Sequence, residues 1–176
     1  MERNRPRLMA NFRLMKGILS QNRFKSGLLL GLLTLFTMPA VAKTANFGTI
    51  TLVSNSGKES VSVSGYTGGS YSLSAIKNRD RNNNSCIGFA DPNPDYILIL
   101  KQDVPKLKMQ VNSGGSDTTI LVQGPNDNII RCGDDTGRSK DANINDKNWK
   151  AGTYKLWIGT FNPGVKYNYT LSLDQS

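Results

Sequence analysis

From residue 48 onward the chain is written largely in period two. "GTITLVS" (48–54) puts Ile50 and Leu52 on one side, and "ESVSVSGY" (59–66) does the same with Val61 and Val63. "KLKMQV" (106–111) alternates Leu107, Met109 and Val111 with Lys106, Lys108 and Gln110. Successive side chains of a strand point to opposite faces, so this pattern makes half-buried strands and lays no apolar stripe along a helix. Gly, Asn, Asp and Pro separate the segments, and no heptad or fixed-period repeat joins them.

"YILIL" (96–100) is apolar throughout, which predicts a strand in the middle of a sheet, covered on both faces. "TTILVQG" and "NIIRC" flank "PND" as the arms of a hairpin, and "YSLSAI" (71–76) supplies another short segment. In "VKYNYTLSL" (165–173), Tyr167, Tyr169, Leu171 and Leu173 share a face. Eight or nine short strands without a helix predict an all-β chain, an antiparallel β-sandwich of jelly-roll type. An outer-membrane barrel would need strands of about ten residues with an apolar outer band. The outward positions here carry Lys, Asn and Ser instead.

The first 42 residues differ from the rest and have the three parts of a secretory signal peptide. Arg3, Arg5, Arg7, Arg13, Lys16, Arg23 and Lys25 form a basic n-region, "GLLLGLLTLFTM" (27–38) an apolar h-region, and "AVA" (40–42) a small-residue cleavage site. Translation starts at Met1, Met9 or Met15, and cleavage is expected after Ala42. The apolar run is well short of the roughly 20 residues that cross a bilayer, so no stable membrane insertion follows cleavage. The exported part reads as N-terminal strands or a lead-in (43–64) and a sandwich domain (65–176), located in the periplasm or outside the cell. The leader holds seven of the 22 basic residues and one of the 13 acidic ones, which leaves residues 43–176 formally +3. That balance gives no ground for nucleic-acid binding.

Cys86 and Cys132 both fall in the exported part, and an even pair in an oxidising compartment reads as one disulfide. The chain has no histidine, which removes Ser-His-Asp and Cys-His activation and the histidine-containing zinc sets. Glu59 is the one glutamate after the leader, so a two-carboxylate hydrolase would have to be built from aspartates. The acidic loop "CGDDTGRSKDANIND" (132–146) brings Asp134, Asp135, Asp141, Asn143 and Asp146 close in sequence. Such hard oxygen ligands suit calcium, although Arg138 and Lys140 lower the local charge and the spacing is not that of an EF-hand loop. The alternative is that Asp134 and Asp135 cap turns.

"NWKAGTYKLWIGTF" (148–161) places Tyr154, Leu156 and Ile158 on one face, with Lys155 and Trp157 on the other. Trp157 is either an exposed stacking platform beside a cation, with Lys155 and Trp157 as ligand-binding residues, or a ring covered by a long loop. The two loops long enough are 77–95 and 133–148, and the covered ring is the expectation. Trp149 is expected to plug one end of the sandwich.

"PDYILIL", "LKMQVNSGGSDTTILVQGPNDNIIRCGDD" and "WKAGTYKLWIGTFNPGVKYNYTLSL", in this order over Gly65 to Leu173, resemble the bacterial pre-peptidase C-terminal domain family in its exported single-domain, cyanobacterial-type form. The resemblance implies a β-sandwich accessory module of the sort that accompanies secreted hydrolases, with collagen-binding domains among its relatives and no active site of its own. The expected function is an exported, non-catalytic binding or interaction module for an extracellular protein or glycan. The rivals are a small secreted hydrolase with a carboxylate site and a purely structural envelope protein.

Overall fold

The computed structural model describes residues 44–53, 60–135 and 137–175. The leader and its cleavage site lie outside the described residues. Among those described there are eleven strands and one 3₁₀ turn. The strands are β1 (Gly48–Leu52), β2 (Ser60–Tyr66), β3 (Tyr71–Ser72), β4 (Phe89–Ala90), β5 (Tyr96–Leu100), β6 (Val104–Asn112), β7 (Thr118–Gln123), β8 (Ile130–Gly133), β9 (Asn143–Trp149), β10 (Gly152–Thr160) and β11 (Asn168–Gln175).

Two sheets form a β-sandwich. One runs β1-β5-β10-β7-β8, with β4 and then β3 attached where Thr160 of β10 pairs with Phe89. The other runs β2-β11-β6-β9. All strand pairs are antiparallel except β1 with β5, which run parallel in register from Gly48↔Tyr96 to Leu52↔Leu100. β1 and β2, read from sequence as N-terminal strands or a lead-in, take places in the first and the second sheet respectively.

Period-two alternation sets the core. Ile50, Leu52, Leu98, Ile120, Val122, Tyr154, Leu156 and Ile158 of the first sheet meet Leu107, Met109, Val111, Ile144, Tyr169, Leu171 and Leu173 of the second. The run 96–100 lies between β1 and β10, as its continuous apolar character requires. Trp149 is fully buried, its indole N–H donating to the Asp146 carbonyl at 3.0 Å and its ring lying under the Arg131 guanidinium, 3.8 Å from carbon to centroid.

Three local readings are corrected. "YSLSAI" extends for only two strand residues and then turns through Leu73–Ala75, where the Ile76 N–H donates back to the Leu73 carbonyl. Tyr167 precedes β11 and is exposed, because its backbone N–H is taken by the Thr67 hydroxyl and its carbonyl by the Thr67 N–H. The loop read between residues 133 and 148 is shorter than that, since β8 includes Gly133 and β9 begins at Asn143.

The outer face of the first sheet carries a second apolar cluster. Trp157, Leu121 and Cys132 stand in one rung across β10, β7 and β8. Leu73, Cys86, Ala90 and Ile130 pack on them, with Ile76 at the margin. Cys86 and Cys132 are disulfide-bonded, so the crossing segment is fastened to the rung that it covers.

Candidate functional site

Two loops, 67–70 and 161–167, meet at one end of the sandwich, the first flanked by Tyr66 of β2 and Tyr71 of β3. Thr67 joins them: its buried hydroxyl donates to the Val165 carbonyl at 3.1 Å and accepts the Tyr167 N–H at 2.9 Å. The Gly164 N–H donates to the Gly69 carbonyl at 2.7 Å. Gly69 has φ +84° and lies against the Ala90 backbone, so a side chain there is both strained and blocked.

This junction displays aromatic rings. Tyr66 is 46%, Tyr71 39%, Phe161 52% and Tyr167 36% exposed, and the one other large apolar side chain exposed among the described residues is Val53. Solvent-facing aromatic rings concentrated on one pair of tied loops mark an interaction surface more than scattered exposure does. Phe47 stands behind Tyr66 in an edge arrangement with centroids 4.9 Å apart, and continues inward to Tyr96 at 5.7 Å and Tyr169 at 6.5 Å. The Lys166 ammonium sits 3.7 Å from the Tyr66 ring centroid, a cation-π contact that fixes the ring.

Beneath these rings a cavity of about 430 Å³ is lined by Phe47, Tyr66, Asp91, Asp95 and Lys166 among others. The Asp95 carboxylate is 4% exposed and accepts the Ile158 N–H at 2.6 Å. Burial pushes its pKa up to about 7, although the Ile158 N–H and the nearby Asn46 and Tyr169 side chains oppose the rise. The Tyr169 hydroxyl, buried and without a partner in ordinary hydrogen-bond geometry, lies beside Asp95 and Tyr96. Burial and the Asp95 charge push its pKa well up.

The acidic residues predicted from sequence do not converge on one site. Asp134 and Asp135 come together with Asp117, which the sequence reading missed; one carboxylate oxygen from each lies within 4.8 Å of the others. Burial, then Asp135 and Asp117, raise the Asp134 pKa. Asp141 is diverted to the β6–β7 turn, where it accepts the Ser113 and Gly115 N–H groups and the Ser113 hydroxyl. Burial raises its pKa, but these donors together lower it by more, leaving a net depression. Asp146 pairs with Arg131 at 2.7 Å and Arg81 at 3.6 Å. Burial opposes its charge, yet the Lys147 N–H and these cations hold its pKa below the ordinary range. Asn143 donates its backbone N–H to the Asp134 carbonyl at 3.2 Å. Two of the five expected ligands therefore remain together, joined by Asp117, and Lys140 already reaches Asp117 at 3.1 Å.

Trp157 is 5% exposed, so it is the covered ring and offers no stacking face. Its cover is the segment from Leu73 to Ala90. Lys155 is half-buried, and its ammonium approaches Gln123 Oε1 at 3.4 Å and Asp127 Oδ1 at 3.5 Å across the β7–β8 hairpin. The accessible aromatic rings lie instead in "GYTGGSY" and "TFNPGVKY". The signal available in sequence was an aromatic residue inside a Gly-rich turn, where no core exists to claim it.

No family model and no curated protein sequence matches the chain. Among solved structures it is similar to the pre-peptidase C-terminal domain of a collagenase from Bacillus anthracis, at 15% identity over 75% of this chain and 98% of that one, with a TM-score of 0.46. It is also similar to PliG, a periplasmic inhibitor of g-type lysozyme, from Aeromonas hydrophila (13% identity, 76% and 100% coverage, TM-score 0.40). A mutant of the Escherichia coli counterpart gives 10% identity, 74% and 99% coverage and a TM-score of 0.40. Similarity at this level assigns neither a ligand nor an activity.

Proposed function

We propose that this chain is an exported, non-catalytic binding module of pre-peptidase C-terminal domain type that engages an extracellular partner, a protein or a glycan, through the end bearing Tyr66, Tyr71, Phe161 and Tyr167. The concentration of exposed aromatic rings on two loops tied through Thr67 carries this reading. Export is supported by the leader sequence and by the Cys86–Cys132 bond, which persists in oxidising compartments. Periplasm or cell exterior is the proposed location.

The non-catalytic reading is supported by what Asp80, Asp141 and Asp146 do. Asp141 and Asp146 are held by donors and cations, and Asp80 accepts the N–H groups of Asn82, Asn84 and Cys132 to shape the disulfide segment. General acid–base work needs a positioned group free to exchange a proton with substrate.

The test compares the wild type with a Tyr71→Ser, Phe161→Ser, Tyr167→Ser triple variant, each immobilised and exposed to an envelope extract. All three side chains are exposed, so the variant should melt within a few degrees of the wild type. Partners enriched by the wild type and lost from the variant support the proposal. Equal recovery by both proteins would remove this end from the binding surface.

A further inference from the structure

The two sides of the sandwich are closed differently. Where β8 and β9 end the sheets, Arg131 of β8 pairs with Asp146 of β9 at 2.7 Å, and the Asn143 N–H donates to the Asp134 carbonyl at 3.2 Å. The other side is formed by β1 and β2, the opposite end strands. Neither Gly48–Leu52 nor Ser60–Tyr66 contains a charged residue, although charged residues make up 20% of the chain. Edge strands of soluble proteins usually carry a lysine, a proline or a bulge that discourages a further strand. β2 has none of these, and its seven residues pair with β11 without a break from Ser60↔Asp174 to Tyr66↔Asn168.

The phase of the ladder shows which backbone groups of β2 are unused. The Thr67 N–H donates to the Tyr167 carbonyl at 2.9 Å, one residue beyond the Tyr66↔Asn168 pair. Bonding direction alternates along a strand, so Val61, Val63 and Gly65 bond to β11, while Ser60, Ser62 and Ser64 turn their N–H and C=O groups away from it. The Ser64 carbonyl agrees with this phase, accepting the Tyr96 hydroxyl at 2.6 Å from the other sheet and keeping a second lone pair. Among the described residues no backbone group outside β11 bonds to β2. Val61 and Val63 pack on the margin of the core and are half-buried, with no strand beyond them.

We infer that the open edge of β2 pairs with β2 of a second copy of this chain, antiparallel about a two-fold axis at Ser62, so that the two four-stranded sheets become one. "SVSVS" (60–64) reads the same in both directions, as an isologous antiparallel pair requires. Ser62 meets Ser62 of the second copy, Ser60 meets Ser64, and Val61 meets Val63. The outward-turned groups of Ser60, Ser62 and Ser64 then form the hydrogen-bonded pairs, and the valines fall in the non-hydrogen-bonded pairs, where side chains approach most closely. The flanking charges agree with the axis. Asp174 lies beside Ser60 at one end of β2 and Lys166 over Tyr66 at the other, so the two-fold turns the acidic end of each copy toward the basic end of its mate. A charged segment of another protein would find no charge within β2 to answer it, whereas a second copy is matched at each residue of 60–64.

The test is sedimentation equilibrium of the purified exported protein. A single strand pair is smaller than a standard interface, so the average mass should climb from that of a monomer toward twice that value over roughly 1 to 300 μM protein. Ser62→Lys sets two ammonium groups against each other across the axis and should hold the protein at monomer mass throughout, with a melting temperature in dilute solution close to that of the wild type. Ser62→Pro, which removes an N–H that β11 does not use, should do the same. Ser62→Cys should join two copies by a disulfide under mild oxidation, because hydrogen-bonded antiparallel pairs hold their Cα atoms about 5.5 Å apart. Ser139→Cys, exposed between β8 and β9, should not. The Tyr71, Phe161 and Tyr167 triple variant should associate as the wild type does, which separates this edge from the aromatic end. Monomer mass at every concentration, a dimer that persists in both Ser62→Lys and Ser62→Pro, or equal cross-linking through Ser139→Cys would overturn the inference. So would an extended segment of another protein bound along β2 of a chain that stays monomeric.

Discussion

The Asp95 carboxylate accepts the backbone N–H of Ile158 at 2.6 Å, across 63 residues of chain and in the interior of the sandwich. This acid binds its proton more tightly folded, near pH 7, than in the unfolded chain, near 3.8. The folded state therefore keeps a proton that the unfolded state loses as pH rises between about 4 and 7. Asp95's contribution to stability falls across that window and is flat above it. Three pKa units correspond to at most about 4 kcal/mol. Asp95→Asn keeps an acceptor for Ile158 and removes the charge, so the variant should exceed the wild type in stability at pH 8 and differ little from it below pH 4. Urea unfolding at the two pH values checks this, and a wild type more stable than the variant at pH 8 would refute it.

Burial of Trp157 and Trp149 fixes a second expectation. Both indoles are covered, so emission of the folded protein should resist quenching by iodide, and unfolding should restore it. Trp157→Ala removes the large ring at the β10 end of the rung that runs through Leu121 to Cys132 and should cost about 3–5 kcal/mol. Leu156→Ala, on the opposite face of the same strand, should cost about 2–5 kcal/mol. Chemical denaturation measures both.

The Cys86–Cys132 bond closes a loop with a sequence separation of 46 residues. On the chain-entropy account such a closure contributes about 4 kcal/mol. Reduction should lower the melting temperature markedly, and exported protein alkylated under denaturing conditions without reductant should show no mass increase. Mass added at either cysteine would contradict the bond.

The core was legible because alternation is a local signal. Leu107, Met109, Val111, Leu171 and Leu173 need only the period-two rule to be placed inward, and all are fully buried. The parallel pairing of β1 with β5 was not legible, since Gly48–Leu52 alternates equally well beside any neighbour. The exposed aromatic end was missed for a related reason. Trp157 drew attention as a large ring on an outward strand position, but strand periodicity is silent on a segment folding over the sheet. Tyr66 ends β2 and Phe161 follows β10, where strand period runs out, and the loops that continue from them are joined by Thr67 bonding to Val165 and Tyr167. Asp117 joined Asp134 and Asp135 only through the pairing of β7 with β8, which no spacing in "CGDDTGRSKDANIND" encodes.

Calcium, expected from the acidic loop, is now proposed at Asp117, Asp134 and Asp135 alone. Three carboxylates so close repel one another, and burial already raises the Asp134 pKa; a divalent cation would relieve both costs. Against this, the Lys140 ammonium already contacts Asp117, and Asp135 is exposed, so water competes for the ion. Binding should therefore be weak, with a Kd of about 10⁻⁴ to 10⁻³ M, the range of extracellular modules. At 5 mM calcium, about 5 to 50 times that Kd, the folded state should gain roughly 1–2 kcal/mol over protein in chelator. Asp117→Asn should abolish the gain, whereas Lys140→Gln, which frees Asp117, should enlarge it. Asp141→Asn should leave the calcium response intact, because that carboxylate serves the Ser113 turn. Identical melting curves in calcium and in chelator for both the wild type and Lys140→Gln would assign the triplet to turn geometry alone.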